Sequence, residues 1–160
     1  PCDEFEGNAR GMDTARNFPT TFCSRKKIHQ QPASENETRA LIRIFQEYGG
    51  RGLLVFCGYG KKVVYYRRDQ NFSTGQRCYR LARHLKKCTR GKLEQLAIER
   101  EAQNGRRSTG RPEQYYGEMI RQPAFRIELP VNSGNKEEEE REIRDLMLLP
   151  LEYIYSLVQL

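Results

Sequence analysis

The run "GLLVFC" (52–57) limits the fold more than any other stretch of the chain. Six small or apolar residues in succession, rich in strand formers, leave no face suited to water. They predict a central strand covered on both sides. The residues just before it supply one cover. Leu41, Ile44, Phe45 and Tyr48 fall at i, i+3, i+4 and i+7, the spacing of one helix face. Ser34 followed by Glu37 reads as a capping box that opens this helix, and Gly49-Gly50 closes it, giving a helix over 34–48. Beyond the "GYG" turn (58–60), "KKVVYYR" (61–67) reads as a second strand, so the two predict a hairpin.

Further elements follow by the same signals. Ser73 with Gln76 makes a second capping box, opening a helix over 75–88. Thr89 stands where a cap would open a third helix, 91–104, ended by Asn104-Gly105. "FRIELPV" (125–131) alternates and reads as a strand. Residues 136–160 read as an acidic, amphipathic C-terminal helix. Ile143, Leu146, Met147, Leu151, Ile154 and Val158 line one side, and Pro150 kinks or splits it. Residues 1–31 are polar and read as an N-terminal arm, leaving 32–160 as one domain. The predicted class is α+β: a small, mainly antiparallel sheet packed with helices, closed by the C-terminal helix.

Charge supplies the functional reading. The chain has a net charge of +7 over 160 residues, unevenly spread. Residues 51–111 hold 16 Lys/Arg against 4 Asp/Glu, a net of +12, whereas 131–160 hold 3 against 7, a net of −4. On the 75–88 helix, Cys78, Leu81, Ala82, Leu85 and Cys88 form an apolar stripe. Arg80, Arg83, His84 and Lys87 stack on another face with Arg77 above them. Like charges one turn apart cost a helix a few tenths of a kcal/mol per pair, and a row of phosphates would reverse that sign. A solvated amphipathic face is the plainer explanation. The pattern recurs, however, in Lys61, Lys62, Arg67 and Arg68 around Tyr66, and in Arg106, Arg107 and Arg111 of "GRRSTGR" (105–111). Cations beside an aromatic suit single strands, whose backbone they hold while a ring stacks on a base. These residues predict nucleic-acid binding, RNA before DNA, through phosphate contacts with little sequence reading.

Other classes are bounded more briefly. No apolar run approaches the ~18 residues of a membrane span, which predicts no membrane partner. Five cysteines without a CxxC pair suit a reducing compartment, and the predicted location is intracellular, cytoplasmic or nuclear. Two sequons, at Asn36 and Asn71, coincide with helix starts. Cys23, His29, His84 and Cys88 can be arranged as zinc ligands, although the Cys23–His29 spacing fits no compact knuckle and Cys88 also belongs to the apolar stripe. "EEEEREIRD" (137–145) suits a helix start, where anions meet the dipole. Its sharper reading is an internal competitor that folds onto the basic face. The leucine-rich end also predicts a homodimer through residues 143–160, and with it a third functional class, a protein-interaction module.

The order of helix, Gly-Gly, apolar strand, turn and Val-Val strand in "ETRALIRIFQEYGGRGLLVFCGYGKKVVYY" resembles the core of Schlafen-like domains of the divergent AlbA type. "QPAFRIELPVNSG" (122–134) is similar to their return strand after a proline. Some members are endoribonucleases that hold a divalent metal with clustered carboxylates, and some bind structured RNA. The nearest counterpart of their Glu-Phe-containing motif is "DEFEG" (3–7), set further from the helix than in the family. The resemblance implies Glu4, Glu6 and Asp69 as candidate catalytic residues holding Mg²⁺ or Mn²⁺ in a metal-dependent endoribonuclease.

Overall fold

Strand β4 (Ala124–Glu128) is the middle of the molecule, and four of its five residues are buried. It lies between β1 (Leu53–Cys57) and β2 (Lys62–Tyr65) in a four-stranded sheet of order β1-β4-β2-β3, with β3 at Ala97–Arg100. The computed structural model describes residues 8–20, 31–57, 62–65, 72–88, 97–100, 110–129 and 135–159.

The class is α+β, but the sheet is mixed and not mainly antiparallel. β1 runs parallel to β4 with Val55 opposite Arg126, and β2 runs parallel to β3. Only β2 and β4 are antiparallel, with Val64 opposite Arg126. The predicted hairpin is therefore corrected. β1 and β2 do run in opposite senses, but β4 is inserted between them. Residues 58–61 are long enough to step across one strand, since each extended residue spans ~3.3–3.6 Å and strands lie ~4.8 Å apart. A short connection thus fixed the direction of β2 without making it a neighbour. The predicted helix 91–104 is corrected as well, because Ala97–Arg100 is an edge strand on β2. Pairing across the sheet overrode local helical preference.

Alternation along β4 assigns the two faces of the sheet. Phe125 and Ile127 point into the main core, where they meet Cys78, Leu81, Ala82 and Leu85 of α2 (Phe72–Cys88), together with Leu146, Leu149 and Tyr153. Arg126 points to the other face, under α3 (Pro112–Tyr115) and the π-helical turn Tyr116–Ile120 that continues it. α1 (Asn36–Tyr48) joins this second layer through Phe45, which meets Tyr116 edge-on at 5.2 Å and Phe18 at 6.3 Å between ring centres. Leu41, Ile44 and Tyr48, predicted to share that buried face, are exposed. Tyr116 donates a hydrogen bond to the carbonyl of Gly49, the positive-φ residue that ends α1.

The start of α1 is built differently from the predicted capping box. Its N-cap is Glu35, and no side chain caps it in the usual way. Instead Asn17 reaches over from the N-terminal segment. Its Oδ1 accepts from the Glu35 N–H at 3.2 Å, and its Nδ2 donates to the Gln31 carbonyl and to Ser34 Oγ, each at 3.1 Å. Ser34 is thereby occupied, donating in turn to Glu35 Oε1 at 2.9 Å. Part of the predicted arm is thus integral to the domain: Phe18 is fully buried against Tyr115 and Phe45. α2 begins at Phe72, so Ser73 lies inside the helix and not at its cap.

The C-terminal helix is split, as Pro150 predicts, into α4 (Lys136–Leu146) and α5 (Leu149–Gln159). Pro150 sits in the first turn of α5, where a missing N–H costs nothing. Asn135 caps α4, accepting from the Glu138 N–H, and Glu137, Glu138 and Glu139 occupy its first turn. The break resets the helical phase. Leu149, Tyr153 and Ser156 turn inward, and of the predicted single stripe Leu146 is buried while Met147, Leu151 and Ile154 turn outward. Tyr153 packs so close to the entry of β1 that a Cβ on Gly52 would overlap its ring. Among the described residues no helix is long and apolar enough to cross a membrane.

Candidate nucleic-acid interface

α2 presents two chemically distinct faces because its apolar stripe is consumed by the sheet. Cys78, Leu81, Ala82 and Leu85 are wholly buried. That leaves Arg77, Arg80, Arg83 and Lys87 exposed along the outer side, a row spanning roughly 15 Å of helix at 1.5 Å per residue. None of the four is paired with a carboxylate among the described residues. Arg77 donates to Gln122 Oε1 at 3.4 Å, and the Arg83 guanidinium lies over the ring of Tyr79 at 5.8 Å. Tyr79 is itself 45% exposed, so the row carries an accessible aromatic. His84 is placed differently from its predicted neighbours. It is half-buried, and its Nε2 is enclosed with no hydrogen-bond partner.

The remaining predicted residues do not share one place. α2 packs over β2, so the described part of the second cationic segment, Lys62–Tyr65, runs beneath the first, and Lys62 stands in register opposite Glu128. Lys61, Tyr66, Arg67, Arg68, Arg106 and Arg107 lie outside the described residues, as do Glu4, Glu6, Asp69, Cys23 and His29. Cys88 ends α2. Among the described residues, no group of three His, Cys, Asp or Glu side chains is placed to hold a metal ion.

Arg111 belongs to a different environment altogether. It is half-buried beside Glu113 and Arg126, on the face of the sheet away from α2. Burial, with the like charge of Arg126 adding to it, lowers its pKa from the ordinary arginine value. Arg126 is the centre of this cluster. Its Nη1 donates to Glu113 Oε1 and its Nε to Glu128 Oε1, both at 3.0 Å. Burial alone would depress the Arg126 guanidinium, but the carboxylates of Glu113 and Glu128 more than offset it and hold the group above its ordinary value. Cys57 closes the cluster at the end of β1, its thiol pushed up chiefly by burial and so kept neutral. Nothing in the charge count distinguished this buried network. The available signal was local: Arg126 and Glu128 stand two apart in a strand, hence on one face, where neither could be solvated if a helix covered it.

The acidic segment of α4 does not pair with the cationic row. Glu137, Glu138 and Glu140 are exposed, and none of the four α2 cations is joined to them.

No protein-family model matches the sequence, and no curated protein matches it either. The fold is similar to that of a chain in the structure of bovine thrombin-activatable fibrinolysis inhibitor in complex with tick carboxypeptidase inhibitor. The TM-score is 0.73 at 14% identity. The likeness covers 93% of this chain and 57% of that one, so this chain spans little more than half the length of its match. At that identity the likeness is one of fold alone.

Proposed function

We propose that the protein binds single-stranded or irregular RNA through its phosphates, with the outer face of α2 as the primary contact. The observation that carries this reading is the row Arg77, Arg80, Arg83 and Lys87, exposed and without carboxylate partners among the described residues, on a helix whose other side is locked into the core. A cationic row held this way is preorganised: docking a polyanion needs no unpairing of internal salt bridges. A strand stacked as in a duplex, at ~3.4 Å per nucleotide, would set about four or five nucleotides along the row. Tyr79, beside Arg83, offers a stacking platform that tolerates any base. Nothing in this arrangement reads base edges, so discrimination among sequences is weak.

The test is fluorescence anisotropy with labelled RNA oligonucleotides of equal length and different sequence. Affinities should agree within about threefold across sequences, and Arg80→Ala/Arg83→Ala/Lys87→Ala should weaken all of them by roughly 10- to 100-fold. Unchanged affinity in the triple variant would place the contact on another surface.

A further inference from the structure

The outer side of α5 is an uninterrupted apolar surface. Met147, Leu148, Leu151, Ile154 and Tyr155 are each between 56% and 65% exposed. Leu148, Leu151, Ile154 and Tyr155 follow one helical stripe, because hydrogen bonds from the Leu151 and Glu152 N–H groups to the Leu148 carbonyl carry the helix back to Leu148, and Met147 ends α4 just before it. With a large side chain offering roughly 200 Å² when fully exposed, the patch amounts to about 600 Å², the upper end of what a monomer leaves open. α1 also exposes Leu41, Ile44 and Tyr48, but Arg43 and Glu47 are exposed on the same helix. On residues 146–159 the only charge is Glu152, and it is half-buried.

We infer that this surface pairs with the same surface of a second copy, α5 against α5 about a two-fold axis. Three features select that occupant. Two such patches bury about 1,200 Å², the lower bound of a specific interface, without recruiting any other element. A two-fold contact sets each patch against itself, which a charged surface cannot do without repulsion and this one can. With the two-fold axis lying across the helices the pair runs antiparallel, and the helix dipoles then oppose favourably. An anionic lipid surface fits less well, since membrane-lying helices carry a basic rim and the neighbouring α4 opens with four successive glutamates, 137–140. α5 packs directly on α2, so the dimer also carries two cationic rows. That consequence, unlike the dimer itself, rests on the RNA-binding reading.

Sedimentation velocity of the full chain, without nucleic acid, tests the pairing. The expected result is a concentration-dependent rise from 18.8 kDa towards twice that mass, with Kd in the micromolar range for so small an interface. Leu151→Glu/Ile154→Glu should stay monomeric with an unchanged circular dichroism spectrum. Leu151→Gln adds no charge, keeps a good helix former, and should weaken the dimer about tenfold. A wild-type monomer up to roughly 100 µM, a dimer indifferent to Leu151→Gln, or a monomer that co-sediments with anionic vesicles would each overturn the inference. RNA titration of the monomeric variant then reads the second row separately: binding that persists with reduced avidity supports both statements, and its total loss contradicts the independence of the two sites.

Discussion

The arginines of α2 and those beneath β4 are the same residue type in opposite circumstances. Arg126 is enclosed on a strand and met by two carboxylates at 3.0 Å, one from the covering helix and one from its own strand. Arg77, Arg80 and Arg83 stand on a helix with no carboxylate set against them among the described residues. The chain places acidic residues where a buried cation requires them and withholds them from α2. A cation completed internally is part of the fold. A cation left incomplete on a rigid frame is available to something outside.

The sharpest way to break this contrast is to take away one of the two carboxylates of Arg126 while keeping the guanidinium buried. Glu113→Ala should destabilise the protein by about 1–3 kcal/mol, since it removes one of two charged partners of a buried guanidinium and leaves only Glu128, and urea unfolding reads that loss directly. Replacing both partners, Glu113→Leu with Arg126→Met, should cost less than either single change. Apolar groups of similar volume fill the space, the partly exposed Glu128 keeps access to water, and the two positions are coupled. A double variant as unstable as the sum of the singles would mean the pair acts independently of the burial argument.

Glu35 extends the contrast to a carboxylate. Hydrogen bonds from Asn8 and Ser34 hold its pKa below the ordinary value, with Arg10 and Arg39 adding to them and burial opposing. A depressed folded-state pKa contributes stability above the unfolded value of about 4.3, and that stability is lost as pH falls through the folded one. Asn8→Ala should therefore lower Tm at pH 7, and the gap from wild type should close on acidification. A gap independent of pH would assign the Asn8 contribution to packing instead. The smallest effect is predicted for α2 itself. Arg80→Ala/Arg83→Ala/Lys87→Ala should shift unfolding free energy by no more than about 0.5 kcal/mol, as expected of surface positions without carboxylate partners.

How much of this was legible before the structure depended on the range of the interactions involved. α1, β1, β2, α2 and β4 followed from short-range signals: apolar spacing, the Gly49-Gly50 stop and the alternation in "FRIEL". Strand order did not, because insertion of β4 between β1 and β2 is a pairing across more than sixty positions of sequence, and no local pattern encodes it. The Ala97–Arg100 segment failed for the same reason. The start of α1 was misread because the polar group that completes it, Asn17, comes from another segment. The exposed cations of α2 were legible, since a helix buries one stripe and they lie off it, but His84, read as part of the same row, is half-buried. The Arg126 cluster was not, since a charge count cannot tell a solvated cation from one roofed by α3.

The central claim, that α2 was left electrostatically open for a polyphosphate, is tested most directly by the salt dependence of RNA affinity. For wild type and the Arg80→Ala/Arg83→Ala/Lys87→Ala variant, log K is measured against log salt concentration. Losing three phosphate contacts to a single strand should flatten the slope by about 2. Equal slopes for the two proteins would contradict the account.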